Sequence, residues 1–131
     1  MMTDPIADLL IQIKNGYMAR KNKIVVSHSK AKEALAALLS NVGYLGKVEI
    51  NRKDKGKPAI AIELVYRDSK PKVNQIINVS TPGRRVYVNR RNIPRVLGGL
   101  GITVISTPSG LMIDSQAAKL GLGGEVICKI W

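Results

Sequence analysis

Residues 102–113 read Ile-Thr-Val-Ile-Ser-Thr-Pro-Ser-Gly-Leu-Met-Ile, two apolar stretches joined by a run of hydroxyl residues, a proline and a glycine. The apolar stretches predict two neighbouring strands. The run between them, residues 106–110, consists of ordinary turn formers, so a plain hairpin turn is one interpretation. Contact with nucleic acid is the other, because hydroxyls both donate to and accept from base edges, ribose and phosphate, and glycine lets a backbone come close.

The distribution of charge favours contact with nucleic acid. The chain has 131 residues and a formal net charge of +12. Residues 69–113 contain no Asp or Glu but seven cations, which are Lys70, Lys72, Arg84, Arg85, Arg90, Arg91 and Arg95. Such a segment keeps a positive potential that attracts polyanions. A basic face that is only solvated remains the alternative.

Composition bounds the class of protein. With 45% hydrophobic residues, no Phe and one Trp, the chain is expected to form one domain or two small lobes around an aliphatic core. The single cysteine, Cys128, excludes an internal disulfide and lies in an apolar run that predicts burial. No stretch approaches the ~20 apolar residues of a transmembrane helix, and the N-terminus is unlike a signal peptide, so a cytoplasmic protein is expected.

Helix and strand signals predict an α+β chain whose first lobe spans residues 1–66. Asp4 and Pro5 start a helix that reaches about Met18, residues 24–26 form a strand, and Ser29 caps a second helix that ends at Gly43. The buried stripe of that helix is expected at Ala34, Leu35, Leu38, Leu39 and Val42. Alternating residues then predict a hairpin around the loop 51–58. This loop carries Arg52, Lys53, Lys55 and Lys57, for which solubility and phosphate contact both stay open.

Residues 67–71 are polar, close with a proline and predict a linker to a second lobe, 72–131. The second lobe is expected to be mostly antiparallel β with short helices. It would contain strands 73–79 and 84–88, a short helix from Asn92, the hairpin 102–113, a helix 115–120 capped by Asp114, and a last strand 125–131. Alternation places Arg85 and Tyr87 on one face of strand 84–88.

The chain has few residues suited to catalysis. His28 is the only histidine and is typical of a surface residue, and the nine acids are scattered. The glycine loops 98–101 and 121–124 match no phosphate-binding fingerprint and each follows a predicted short helix, so helix termination is one role. For Gly123 and Gly124 a close approach to ribose is another. No enzyme, cofactor or metal site is expected. Binding to a membrane surface would need a basic amphipathic helix with exposed Trp or Phe, and the sequence contains none.

Motifs along nearly the whole chain resemble the bacterial small-subunit ribosomal protein eight family. They are residues 81–87, 93–97, 99–102, 106–107 and 121–131 in the second lobe, and 4–8, 13–15 and 29–30 in the first. The resemblance implies a two-lobed, non-enzymatic protein that binds small-subunit ribosomal RNA directly, at an irregular helix of the central domain, and supports subunit assembly. It also implies neighbouring small-subunit proteins as partners, a monomer off the ribosome, and in many members repression of translation through a mimic of the RNA site in their own messenger.

Carried over by position, the resemblance implies RNA contacts by Ser106, Thr107, Gly110, Gly123, Gly124, Glu125, Arg85, Tyr87 and Lys30. The charge pattern adds phosphate contacts by Arg84, Arg85, Arg90, Arg91 and the basic loop that includes Lys55. Pro108 departs from the family, which commonly has a third hydroxyl there, so Ser109 either replaces that hydroxyl or one hydrogen bond is lost. Ile113 and residues 115–118 remove a hydroxyl and positive charge from the last helix. Glu125 is expected to accept hydrogen bonds from Ser106 or Thr107 and to orient them.

Overall fold

The computed structural model describes residues 4–52 and 56–131, which form two compact units divided between Val73 and Asn74. Both units combine helices with antiparallel sheets, so the predicted α+β class is confirmed. Within the described ranges, no helix has the length and apolar character needed to cross a membrane.

The first unit consists of two helices, a three-stranded sheet and a small hairpin. Its elements are α1 (Pro5–Met18), β1 (Lys23–Ser27), α2 (Lys30–Asn41), β2 (Val48–Asn51), β3 (Ala59–Glu63), β4 (Tyr66–Arg67) and β5 (Lys70–Pro71). The antiparallel sheet has the order β1-β3-β2, and Ile62 of β3 pairs with Ile24 on one side and Val48 on the other. Helix α1 packs on α2 and β1.

The side-chain caps predicted at the starts of α1 and α2 are confirmed. Asp4 Oδ1 accepts hydrogen bonds from the backbone N–H groups of Ile6 and Ala7, each at 3.1 Å. Ser29 Oγ accepts a hydrogen bond from Lys32 N, also at 3.1 Å. Both caps satisfy N–H groups that the first turn of a helix leaves without partners.

The buried face of α2 is rotated from the predicted one. Ala34 is exposed, whereas Ala36 and Lys32 are buried. The ammonium of Lys32 lies 2.7 Å from Asp8 Oδ2 of α1 and donates to Ser27 Oγ at 3.0 Å. A buried ammonium needs such partners, and the apolar periodicity of α2 alone does not predict them.

The segment 67–71, expected as a linker, lies in the β4–β5 hairpin of the first unit. Arg20 donates a hydrogen bond to the carbonyl oxygen of Ser69 in its turn. The hydroxyl of Tyr66 donates to the carbonyl oxygen of Lys21 at 2.7 Å. These two bonds tie the hairpin to the chain that follows α1.

The second unit is a curved antiparallel sheet with one helix. Its strands are β6 (Ile76–Asn78), β7 (Tyr87–Val88), β8 (Ile102–Thr107), β9 (Gly110–Ile113) and β10 (Gly124–Ile130), and its helix is α3 (Asp114–Leu120). The sheet order is β6-β10-β8-β9, and β7 also pairs with β10. Strand β7 pairs with the first residues of β10 and β6 with the last. Ile105, Met112 and Ala117 form a core cluster between the sheet and α3.

The strands predicted at 73–79 and 84–88 are both shorter in the structure, and a turn uses part of the backbone of the second one. Ser80 Oγ accepts a hydrogen bond from Val86 N at 3.0 Å. Thr81 and Arg84 exchange both backbone hydrogen bonds, each at 3.0 Å. Strand β6 keeps the middle of the first predicted strand and β7 the end of the second, and Val79 N and the carbonyl oxygen of Val86 make further single bonds to β10.

The helix predicted from Asn92 does not form, and the described chain has a single 3₁₀ turn at Leu97–Gly99 instead. Proline disfavours helical backbone at the residue before it, here Ile93. Thr103 Oγ1 also donates to the carbonyl oxygen of Pro94 at 2.8 Å, which holds this segment against β8.

Asp114 does not cap α3 as predicted, because it is the first residue of the helix. The cap position is Ile113, whose backbone N–H donates to Gln116 Oε1 at 3.2 Å. The carboxylate of Asp114 is buried and accepts a hydrogen bond from Thr103 N at 3.3 Å. Asp114 therefore fixes α3 to β8.

Candidate nucleic-acid interface

The first residues of β10 lie between β7 and β8, and the strand register brings three different side chains together. Tyr87 of β7 pairs with Glu125 of β10, and Glu125 pairs with Ser106 of β8. Residues directly opposite each other in antiparallel strands point to the same face, with Cβ atoms about 4.5–5.5 Å apart. Tyr87, Glu125 and Ser106 therefore form one row across the sheet, which we call the central row.

The central row points away from the core cluster and from α3. Ile105, the chain neighbour of Ser106, is fully buried and packs with Ala117 of α3. Successive side chains of a strand alternate between the two faces, so Ser106 lies on the other face. Tyr87 is 69% exposed, which leaves its ring open to a ligand.

The two glycines before Glu125 let the neighbouring strands approach closely. A Cβ atom at Gly124 would collide with the carbonyl oxygen of Ser106, and one at Gly123 would collide with the carbonyl oxygen of Val88. Both obstacles are backbone atoms, which cannot turn aside as a side chain can. The packing of β10 between β7 and β8 therefore requires both glycines, independently of any ligand.

The hydroxyl run forms the predicted turn, between β8 and β9, and its hydroxyls have different surroundings. Thr107 is 8% exposed, and its Oγ1 donates to the carbonyl oxygen of Gly110 at 2.8 Å and accepts from Ser109 N at 3.1 Å. Gly110 has a φ of 110°, a backbone conformation that favours glycine. In the described chain the hydroxyls of Ser106 and Ser109 have no hydrogen-bond partner, so these two are available to a ligand, whereas Thr107 braces the turn.

The carboxylate of Glu125 bonds to Arg85 and not to the hydroxyl run. Arg85 Nη1 donates to Glu125 Oε2 at 3.3 Å, and the side chain of Glu125 is 19% exposed against 46% for Arg85. The expectation that Glu125 accepts hydrogen bonds from Ser106 or Thr107 is therefore wrong. Arg85 lies two residues before Tyr87 and on the same face, where it reaches the carboxylate from the β7 side.

The remaining predicted phosphate ligands that the structure describes are exposed. Arg84, Arg90 and Arg91 are exposed and make no ion pair with any described residue. Lys30, also exposed, is the first residue of α2 in the first unit. Lys55 lies outside the described residues. The second unit thus brings the central row, the turn and the glycines together, and it carries these three arginines on the chain around β7.

Leu111, which no sequence pattern singled out, continues the central row by one strand. It pairs with Ser106 across β8 and β9 and is half-buried. The signal was present in the turn, because pairing of Thr107 with Gly110 places Leu111 opposite Ser106. The contact between Arg85 and Glu125 had no local signal, since the two residues lie 40 positions apart.

His28 has an acidic neighbour, and Cys128 is buried. His28 Nε2 lies 2.8 Å from Glu33 Oε1 within the first unit. Burial raises the pKa of the Cys128 thiol to about 12, so the thiol stays protonated near neutral pH. Among the residues that the structure describes, no three His, Cys, Asp or Glu side chains are grouped as metal ligands.

Comparison with known proteins identifies the class of the chain as ribosomal. The model of the family described as ribosomal protein S8 matches residues 4–131. The protein named small ribosomal subunit protein uS8 from Dictyoglomus turgidum is 46% identical over 99% of this chain and 98% of its own length. The uS8 proteins of Vibrio atlanticus and Opitutus terrae are 46% and 42% identical, over 98% and 99% of this chain and 98% and 100% of their own lengths.

The chain belongs to the ribosomal protein S8 family. The resemblance seen in the sequence is thereby confirmed, as is the expectation of a ribosomal protein that is located on the ribosome. The family is one of structural ribosomal proteins and is not a class of enzymes.

Proposed function

We propose that this chain binds ribosomal RNA of the small subunit directly, at an irregular helix, through the face that carries the central row. The row itself carries the proposal, because it sets an exposed aromatic ring, a carboxylate and an unpartnered hydroxyl side by side. Aromatic rings stack on unpaired bases, and hydroxyls bond to base edges or ribose. A regular A-form duplex hides these base edges in a deep, narrow groove, whereas an irregular helix exposes them.

In this proposal affinity and specificity come from different residues. Arg84, Arg90 and Arg91 are exposed and have no acidic partner in the described part of the chain, so they are suited to phosphate. Ser106 and Ser109 are the hydroxyls suited to recognition, with Tyr87 for stacking, while Gly110, Gly123 and Gly124 let the backbone come close. Lys30 and Lys55 of the first unit contact phosphates of neighbouring RNA. Direct binding of this kind supports assembly of the subunit.

Filter binding at 0.15 M salt tests the proposal. The purified chain is titrated into a small-subunit rRNA fragment that contains the irregular helix, and into a regular duplex of equal length. Tight, saturable binding to the fragment and much weaker binding to the duplex are expected. Equal affinities for the two RNAs would contradict specific recognition.

A matched pair of serine variants locates the interface. Ser106→Ala removes one available hydroxyl and is expected to weaken binding to the rRNA fragment about three- to tenfold, the value of one hydrogen bond. Ser115→Ala removes an exposed hydroxyl from α3, the helix from which the central row points away, and is expected to leave affinity unchanged. If both variants bind equally well, the central row is not the interface.

The arginines are expected to control salt dependence instead of selectivity. Each of Arg90→Gln and Arg91→Gln should lower the slope of log K against log salt by about one, with similar losses for the fragment and the duplex. A loss confined to the irregular helix would assign these residues to recognition.

The proposal extends to the chain's own messenger and to its protein neighbours. A messenger that presents the same irregular helix would occupy the same face, so excess protein is expected to repress a reporter fused to that messenger, and Ser106→Ala to relieve it. Off the ribosome the chain is expected to sediment as a monomer, and to meet neighbouring small-subunit proteins only after RNA is bound.

A further inference from the structure

Glu125 is an acid in the middle of a face that is otherwise suited to a polyanion. Its neighbours across the strands are Tyr87 and Ser106, and its carboxylate holds Arg85 at 3.3 Å. Arg84, next to Arg85 in the chain, has no acidic partner among the residues that the structure describes. The positive charge of Arg85 is therefore offset by a carboxylate, whereas that of Arg84 is not.

An RNA that binds at the central row lies close to the negative charge of Glu125. Its side chain is only 19% exposed, and its backbone is paired on both sides, to Tyr87 of β7 and Ser106 of β8. A phosphate that approaches Arg85 at this point has to compete with the carboxylate for the guanidinium and is repelled by it. An RNA group that donates a hydrogen bond meets no such penalty, because a carboxylate has lone pairs for several donors.

We infer that Glu125 is a specificity-determining residue that rejects phosphate at the central row and selects hydrogen-bond donors of the RNA. Those donors are the amino or imino groups of unpaired bases. This inference rests on the proposed RNA-binding function and adds a discriminating element to it. A regular duplex offers phosphate and ribose to this face, whereas an irregular helix also offers the free edges of unpaired bases with their donors.

The variant Glu125→Gln isolates the charge. Glutamine has nearly the same shape and keeps a carbonyl oxygen that accepts a hydrogen bond from Arg85, but it carries no negative charge. Removal of one unit charge about 4 Å from a phosphate corresponds to about fivefold in a binding constant in water. Affinity of the variant for the regular duplex is therefore expected to rise about fivefold, with no gain for the rRNA fragment, so that the ratio of the two affinities falls.

Glu49→Gln is the matched control for net charge. Glu49 lies on β2 of the first unit, is exposed, and is paired with Lys47 at 2.6 Å, so it is also an acid bonded to a cation. The substitution changes the net charge of the chain by the same amount. It is expected to leave the ratio of fragment to duplex affinity near that of the unaltered protein.

Filter binding of the full chain to the rRNA fragment and to the duplex, with both variants at three salt concentrations, decides the question. Equal duplex affinity of Glu125→Gln and Glu49→Gln would overturn the inference, because only net charge would then matter. Failure of the unaltered protein to distinguish the two RNAs would instead overturn the proposed function.

A second variant guards against loss of structure in Glu125→Gln, which thermal denaturation would reveal. Arg85→Gln leaves Glu125 without its cation and so exposes more of its negative charge. This variant is expected to bind the duplex more weakly and to keep or raise the ratio of fragment to duplex affinity. A fall in that ratio for Arg85→Gln would also overturn the inference.

Discussion

Replacement of Gly124 by alanine is expected to destabilise the second unit through one methyl group. At this position a Cβ atom would collide with the carbonyl oxygen of Ser106, and it would lie 2.9 Å from the carbonyl carbon of Ser106 and 3.1 Å from Thr107 Cα. All three atoms belong to the backbone of β8. The clash can be relieved only if β8 and β10 move apart where they form their ladder.

The cost follows from what the strands lose. Overpacking of a well-packed site typically costs about 1–3 kcal/mol. Separation at Glu125 and Ser106 also weakens one or two backbone hydrogen bonds, each worth about 0.5–1.5 kcal/mol. The free energy of unfolding is therefore expected to fall by about 2–5 kcal/mol, a large part of the 5–15 kcal/mol of an ordinary domain. The midpoint of thermal unfolding should fall by about 10 °C.

Fluorescence of Trp131 measures this effect in the unit concerned, because the chain has a single tryptophan and Trp131 belongs to the second unit. Gly83→Ala is the matched control, since a Cβ atom at Gly83 would have no described atom within 4 Å apart from its chain neighbours. It is expected to melt within a few degrees of the unaltered protein. If Gly124→Ala melts together with Gly83→Ala, the close approach of β8 and β10 does not require glycine, and the reasoning fails.

Three further perturbations test other parts of the fold. Asp8→Asn leaves the buried ammonium of Lys32 with a weaker partner and should cost about 1–2 kcal/mol in urea unfolding, less than a fully buried pair because Asp8 is half exposed. Lys32 lowers the pKa of Asp8 below its ordinary value of 3.8, so this stabilisation is complete above that value and is lost as the pH falls through the folded-state pKa; the two proteins should converge in strong acid. Tyr17→Phe removes a buried hydroxyl bonded to two backbone groups and should cost about 1–3 kcal/mol, and equal stability would contradict both bonds. Because burial raises the pKa of Cys128 to about 12, thiol reagents at pH 8 should label it only after unfolding, and rapid labelling of the native chain would place the thiol at the surface.

Local signals predicted the starts of α1 and α2 and the β8–β9 hairpin of this chain. Asp4 and Ser29 each follow a sequence pattern in which one side chain reaches the N–H groups two or three residues ahead, and both caps form as expected. The hairpin around residues 106–110 is equally local, because the turn residues and the apolar runs determine it together. Asp114 shows the limit of such signals. Its acid type and place before a helix predict a cap, but its carboxylate is used by Thr103 of another strand.

The residues of the candidate interface were predicted from the sequence, but their hydrogen-bond partners were not. Tyr87, Ser106 and Glu125 were expected at one site, yet Arg85 as the partner of Glu125 and Thr107 as a brace of the turn were not. Both outcomes depend on strand register, which is set by pairing between segments far apart in the chain. From the sequence alone, a hydroxyl or carboxylate could bond to any of several side chains. The register of the paired strands determines which of these is its neighbour.

Gly124 and Glu125 show how that selection links packing to recognition. Without a side chain at Gly124, β8 comes close enough to β10 for Ser106 to stand beside Glu125, and Gly123 does the same for β7 on the other side. The carboxylate is thereby fixed between Tyr87 and Ser106, where it can oppose phosphate and accept from a base. Any side chain at position 124 would push β8 away from β10. Even alanine there should therefore reduce the ratio of fragment to duplex affinity at temperatures at which the sheet is still folded. The glycine contributes to recognition through the position it gives Glu125, and a contact with RNA is not needed for that effect.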